Sequence, residues 1–334
     1  MYHDVRDLHH TNHPRRYELK SFLRVEEFEA QLDYIQRFYT VVSVAQILAM
    51  YRGAAELPSN ALVMTFDDGL KDHYTEVLPR LKARSLTGAF FLPARAVLHR
   101  SVMNAHKIQF ILAAAEEVVV VRKVFESLDA LRRQGVTLPS NDALWSTFSR
   151  SQFPGRNRWS PEMVFVTNLL RNGLTKDLCE SITAELFAKM VTVNEAGFAN
   201  ELYLSFDDAR EMRSAGMEIG GHGYESVNLA CLDEDEIENE VKRSALFLSD
   251  LFDQSSISEL IFSYPNGGVN LTTKACLRRH GFAAAFTTQM QLVVDIDALE
   301  LLEIPRLDAP QQLPRHDSDA VPCRWTTEAI SASI

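Results

Sequence analysis

With 334 residues the chain is long enough for one large domain, or a domain with a big insertion, and a core of that size needs no covalent staple. Hydrophobic residues make up 46% and charged residues 24%, the balance of an ordinary globular protein. Lys and Arg number 34 against 45 Asp and Glu, a formal net charge of −11, and no basic patch stands out, which argues against nucleic acid as a partner. Cys179, Cys231, Cys276 and Cys323 are scattered and form no CxxC pair, so a zinc cluster is not expected and a reducing compartment is. No apolar segment of signal-peptide type follows Met1, and no run of 18 apolar residues occurs. The reading is a cytoplasmic protein with no membrane span, for which an oligomer stays open.

Phe28, Leu32, Ile35 and Tyr39 fall at i, i+4, i+7 and i+11, one face of an amphipathic helix. Ala61-Leu-Val-Met-Thr-Phe is a short apolar run that ends in Asp67-Asp68-Gly69 and reads as a buried strand. Gly88-Ala-Phe-Phe-Leu reads as the next strand, with Val77, Leu78 and Leu81 inward on the helix between them. Strand–helix–strand is the unit of a parallel sheet or barrel.

From about residue 99 to 204 the periods turn helical. The stripes are Ile108–Ile111–Leu112–Ala115, Met163–Val166–Leu170 and Leu178–Ile182–Leu186, with loops at Pro139 and Phe153-Pro-Gly-Arg-Asn-Arg. Strand signals return at Met217-Glu-Ile-Gly-Gly-His222. A helix with Ile237, Val241, Ala245 and Leu248 on one face follows, opened by a capping box of Asp233 and Glu236. Leu260-Ile-Phe-Ser-Tyr-Pro, a helix ending at Gly281 and Ala283-Ala-Ala-Phe-Thr complete the alternation. The expected segments are 1–98, first part of a barrel; 99–204, a helical insertion acting as lid or subdomain; 205–310, second part of the barrel; and 311–334, a polar tail.

Asp67 and Asp68 sit side by side at a strand end, where adjacent side chains splay apart. One can bind a metal while the other takes a proton from water. Asp-Asp-Gly is equally good chemistry for a solvated turn. A similar pair, Asp207–Asp208, lacks the glycine and stands in the capping pattern Ser205-x-x-Asp208, so it reads as a helix start. His222 follows two glycines at another strand end. Strands of a parallel sheet all end on one edge, and active sites gather there. His9-His10-x-x-His13 reads as a loop outside the site.

These motifs resemble those of the NodB-homology polysaccharide deacetylases, carbohydrate esterase family four. Thr65-Phe-Asp-Asp-Gly69 resembles the first motif. Gly220-Gly-His-Gly-Tyr-Glu-Ser-Val-Asn-Leu229 resembles the second, which normally reads His-x-x-x-His. Phe262-Ser-Tyr-Pro-Asn-Gly-Gly268 resembles the third, and Tyr2-His3 the opening seen in many relatives. The likeness runs over roughly residues 1–95 and 205–308, and the helical block resembles a subgroup from bacterial surface-polysaccharide (O-antigen) loci.

The resemblance implies an α/β fold, a distorted (β/α) barrel of about seven strands with a helical insertion, holding a divalent metal, zinc first. It implies Asp67 as general base and metal ligands at Asp68, His222 and the second-histidine position, Ser226. Tyr264, Pro265, Asn266, Arg306 and Asp308 would line the substrate, with the Asn266 backbone N–H on the oxyanion. Three departures stand out. Ser226 is a poor ligand. Ser263 occupies the place of an arginine that orients the base. Leu302-Glu-Ile-Pro-Arg-Leu-Asp308 stands where a Leu-His motif normally supplies the general acid, so His106 or His3 would have to serve. The expected activity is metal-dependent N-deacetylation of an N-acetylated sugar or oligosaccharide in surface-polysaccharide synthesis. The alternative is an impaired relative that binds a glycan or a partner enzyme; metal content separates the two.

Overall fold

The structure, a computed structural model, describes residues 1–10, 12–19, 22–150, 159–254, 259–293, 295 and 298–314. The expected loop at Phe153-Pro-Gly-Arg-Asn-Arg and the tail beyond 314 lie outside the described residues. The chain forms two compact units. The first joins Met1–His10, Phe22–Ser101 and Ala199–Ser333; the second joins Thr11–Ser21 to Val102–Phe198. Among the described residues no helix is long and apolar enough to cross a membrane.

The first unit is built on a parallel sheet of β1 (Thr65–Phe66), β2 (Ala89–Leu92), β3 (Glu218–Gly221), β4 (Leu260–Ser263) and β5 (Phe282–Phe286), adjacent in sequence order. Every pairing is parallel, so all five strands end on the same edge. β2 is an unbroken apolar run buried on both faces, as a central parallel strand requires. The close approach of β3 to β4 depends on Gly220, where a Cβ would lie 2.6 Å from the Ile261 carbonyl oxygen.

The α/β class matches the expectation, and the continuous sheet is a curled array of five strands where about seven were expected. Beyond its edges the pairing shrinks to single parallel bridges, Tyr2 to Phe66 and Phe286 to Ile304. Both stop for a local reason. The Asp4 carbonyl, next in alternation after Tyr2, accepts instead from Leu23 N at 2.9 Å. The Arg306 N–H, next in alternation after Ile304, goes to Gln289 O at 3.0 Å in place of Thr287 O.

Helices α1 (Val25–Phe38), α2 (Leu78–Ala83), α3 (Phe206–Ser214), α4 (Glu234–Phe252) and α5 (Leu271–Arg279) accompany these strands. Phe28, Leu32 and Ile35 are buried on α1 as their spacing predicts, with Tyr39 as its C-cap. Both predicted capping boxes are present, Ser205/Asp208 on α3 and Asp233/Glu236 on α4. Under the strand ends the rings of Tyr2, Phe66 and Phe90 stack at 5.2 and 4.6 Å, with Phe28 edge-on to Tyr2 at 5.3 Å. Such contacts add to the burial of large apolar rings and hold the floor beneath Asp67 rigid.

In the second unit, helices span Asn104–Ala114, Glu117–Arg133, Pro161–Asn168 and Lys176–Met190. Ile108, Ile111, Met163, Val166, Ile182 and Leu186 are buried as predicted. Two stripe positions shift: Ala115 lies one past its helix end, and Cys179 is buried where Leu178 was expected. Arg16, buried, stacks 4.3 Å over Phe110 and donates to Gln109 at 3.2 Å, tying the Thr11–Ser21 segment to these helices.

Candidate active site

β1 delivers Asp67 and Asp68, and the turn that follows separates them. Asp68 adopts φ 76° and Gly69 φ 59°, two left-handed residues in succession. For aspartate that conformation costs on the order of 1–2 kcal/mol, tolerated because Gly69 O accepts from Leu204 N at 2.9 Å and Lys71 N donates to Leu202 O at 2.8 Å. Asp67 is thereby turned inward, 2% exposed, while the Asp68 side chain stays 17% exposed.

Arg306 holds Asp67. Its Nη1 donates to Asp67 Oδ1 at 2.9 Å and its Nη2 to Oδ2 at 2.8 Å. Nε bonds the Thr287 carbonyl at 2.8 Å, and the remaining hydrogens meet Ser263 Oγ at 2.9 Å and Thr65 Oγ1 at 3.3 Å. All five guanidinium donors are used, which fixes the plane of the fork. Ser263 Oγ itself donates to Asp67 Oδ2 at 3.1 Å. Burial pushes the Asp67 pKa up, but the Arg306 charge and then His222 and the Arg306 hydrogen bonds outweigh it, leaving the carboxyl well below the usual range.

β3 delivers His222, whose backbone N–H donates to Leu92 O at 2.9 Å. Its Nδ1 lies 2.8 Å from the Ser263 carbonyl, which can only accept, so Nδ1 carries a hydrogen, and Nε2 lies 3.5 Å from Asp68 Oδ1, donating to it when the ring is protonated and presenting a lone pair to a cation when it is neutral. Burial alone would lower the His222 pKa; the Asp68 hydrogen bond and the charges of Asp67 and Asp68 raise it above the usual value. The loop after His222 is pinned by buried Glu240 of α4, whose Oε2 accepts from the Tyr224 and Glu225 N–H groups, each at 2.9 Å. Ser226 follows in this loop with φ 57°.

An aspartate oxygen and an imidazole nitrogen that converge, with the second imidazole nitrogen held by a carbonyl, form a donor pair suited to zinc or a similar divalent cation. The Ser226 hydroxyl would be a weak addition to it.

His3 stands beside this pair. Tyr2 N donates to Thr65 O at 2.8 Å and Asp67 N to Tyr2 O at 3.0 Å, which sets His3 level with the carboxylates, exposed, and within electrostatic reach of Asp67. Sequence reasoning passed over His73. Fully buried, it anchors the His3 carbonyl; burial, acting first, lowers its pKa, and it senses the charges of Asp4, Asp68 and His3. Its only signal in the sequence was a histidine shortly after Asp67–Asp68.

Several expected substrate contacts prove to be supports. Tyr264 is fully buried and its hydroxyl donates to Leu302 O at 3.0 Å, and Pro265 is buried with it. Arg306 is buried on Asp67 instead of facing a ligand. Asn266 is exposed with φ 54°, and Asp308 is partly buried beside Tyr2, whose pKa is raised by burial and then by the Asp308 charge. His106 is buried in the second unit, on the helix Asn104–Ala114. Asp208 caps α3 and pairs with Lys71 at 2.6 Å, the helix start that its pattern predicted.

A family model described as polysaccharide deacetylase matches residues 182–285, a segment that holds β3, β4, most of β5 and His222. The poly-beta-1,6-N-acetyl-D-glucosamine N-deacetylase of Escherichia coli K12 is 51% identical over 45 residues, 14% of this chain and 7% of that protein's length. Among solved structures, Streptococcus pyogenes deacetylase PplD in complex with acetate aligns with TM-score 0.51 at 15% identity, covering 92% of this chain and 89% of that one. IcaB from Ammonifex degensii aligns with TM-score 0.51 at 17% identity, covering 92% and 88%. At these identities the structural likeness speaks for the fold. The family model matches the segment from β3 into β5, and the Asp-Asp-Gly and Gly-Gly-His strand ends meet in one site beside it, so over this part the chain is similar to the polysaccharide deacetylase family.

Proposed function

We propose that the protein removes the acetyl group from an N-acetylated hexosamine of a bacterial surface polysaccharide. The observation that carries this reading is Asp67, kept ionised by Arg306 beside the converging Asp68 and His222. A divalent cation held by Asp68 and His222 would polarise the acetamide carbonyl and lower the pKa of the attacking water. Asp67 accepts a proton from that water. With so low a pKa it is a weak base, so it serves when the water is already acidified. The Asn266 backbone N–H is offered to the oxyanion. His3, exposed and level with the carboxylates, gives a proton to the departing nitrogen as the C–N bond breaks, releasing acetate and an amino sugar. Of the two histidines open as acids in the sequence, His3 lies in the same unit as Asp67.

The substrate class rests on the NodB-type motifs and on the 45-residue match to a poly-beta-1,6-N-acetyl-D-glucosamine N-deacetylase. The test is acetate release from β-1,6-linked N-acetylglucosamine oligomers with added zinc or cobalt. His3→Gln is expected to slow turnover about 10²-fold and His106→Gln to leave it near the parent value. The reverse pattern would overturn the acid assignment. Glycan binding without acetate release under any cation would favour the non-catalytic alternative that Ser226 suggests.

A further inference from the structure

Away from the strand ends, α4 and α5 bring together a second set of metal-type donors. Glu238 lies on α4, Cys276 on α5 and His280 at the C-cap of α5, and one ligand atom from each falls within 4.8 Å of the others. Glu238 Oε1 is 2.6 Å from His280 Nε2, and Cys276 Sγ is 3.4 Å from Glu238 Oε2. Zinc bonds of about 2.0–2.3 Å place tetrahedral ligand atoms roughly 3.3–3.8 Å apart, so small side-chain rotations suffice to seat a cation here.

The backbone arrangement suits one too. Cys276 and His280 are four residues apart and share a helix face, a spacing that lets two side chains chelate one ion. They stand at the C-terminal end of α5, where the helix dipole favours positive charge. Glu234, one turn before Glu238 on α4, adds negative charge; Arg279, 3.6 Å from Glu238 and more than half exposed, is free to swing into solvent. Cys276 is 1% exposed, and burial followed by the Glu238 contact pushes its thiol up to about 12. Without a cation this cysteine therefore stays a protonated, unreactive thiol.

We propose that Glu238, Cys276 and His280 form a structural site for a soft divalent cation such as zinc, composed of none of the active-site residues and clamping α4 to α5. Binding exchanges the thiol proton, released to solvent, for an Sγ–metal bond, with water or Glu234 in the fourth position. The site does not depend on the deacetylase reading. Its place has a consequence, since Glu240, two residues after Glu238 on α4, holds the loop that follows His222.

The experiment is a cadmium titration of the metal-stripped, reduced full chain, followed by thiolate-to-cadmium charge-transfer absorption. The active-site pair contains no sulfur and is silent in it. The expected result is a saturable band, absent in Cys276→Ser, retained in Cys231→Ser and in Asp68→Ala, with its midpoint shifted at least about tenfold in His280→Ala and in Glu238→Gln. Zinc should also raise the unfolding midpoint of Asp68→Ala and leave that of Asp68→Ala/Cys276→Ser unchanged. No band at millimolar cadmium, a band that survives in Cys276→Ser, or one indifferent to His280→Ala and Glu238→Gln would overturn the proposal. The last two variants keep the buried sulfur, so the result does not hang on whether Cys276→Ser folds.

Discussion

Asp67 and Arg306 lie 239 residues apart in sequence and meet through two N–H···O bonds of 2.9 and 2.8 Å, with both side chains under 5% exposed. A fork of this kind supplies direction as well as charge, because its plane dictates where the carboxylate oxygens sit. Ser263, in the place where relatives carry the orienting arginine, accepts one hydrogen bond from the same guanidinium. In this chain the guanidinium on Asp67 comes from Arg306, on another segment.

Arg306→Lys keeps the charge and loses the fork. It is expected to lower kcat about 10- to 100-fold with KM nearly unchanged, since the base is misaligned while the sugar still binds. Arg306→Met leaves a buried carboxylate without its partner and should cost about 3–5 kcal/mol of stability, measured by urea unfolding. A lysine variant as fast as the parent would refute the positioning role.

Asp67→Asn removes the proton acceptor and should reduce acetate release about 10²–10⁴-fold, with the circular-dichroism spectrum of the parent. It also has a pH signature. The folded Asp67 pKa is depressed, so its contribution to stability is fully present above the unfolded value near 3.9 and is lost as pH falls through the folded value. Urea midpoints of the parent should therefore drop more steeply below about pH 4 than those of Asp67→Asn. Parallel curves would mean that Asp67 is not the ion-paired group described above.

Asp68 Oδ1 and His222 Nε2 are 3.5 Å apart. In a Cys276→Ser background, which silences the second cluster, Asp68→Ala and His222→Ala should each weaken zinc binding by at least about tenfold by isothermal titration. Binding as tight as the parent's in either variant would remove that residue from the ligand set.

Gly220 and Gly221 differ in what a methyl group would strike. At Gly220 it meets the Ile261 carbonyl oxygen at 2.6 Å, fixed backbone of the neighbouring strand; at Gly221 it meets the Ser244 hydroxyl at 2.4 Å, which can rotate away. Gly220→Ala should cost about 1–3 kcal/mol and Gly221→Ala less, read from thermal unfolding. The opposite order would show that β3 and β4 can part more easily than their packing implies.

Much of this was legible in the sequence, because it depends on neighbours a few residues away. Short continuous apolar runs located β1 to β5, and 3.6-residue periods located the buried faces of α1 and α4. The capping boxes at Ser205 and Asp233 were readable because both partners lie within one helical turn. Asp-Asp-Gly and Gly-Gly-His announced two strand ends, and parallel strands must share an edge, so Asp68 and His222 were expected together before any coordinates. Tertiary structure decided the rest. No local pattern links Arg306 to Asp67, raises His3 to the level of the carboxylates through a single bridge at Tyr2, or turns Tyr264 into the core. Those outcomes rest on which strand edges are left open and which buried charge lacks a partner, and these exist only once distant segments have packed.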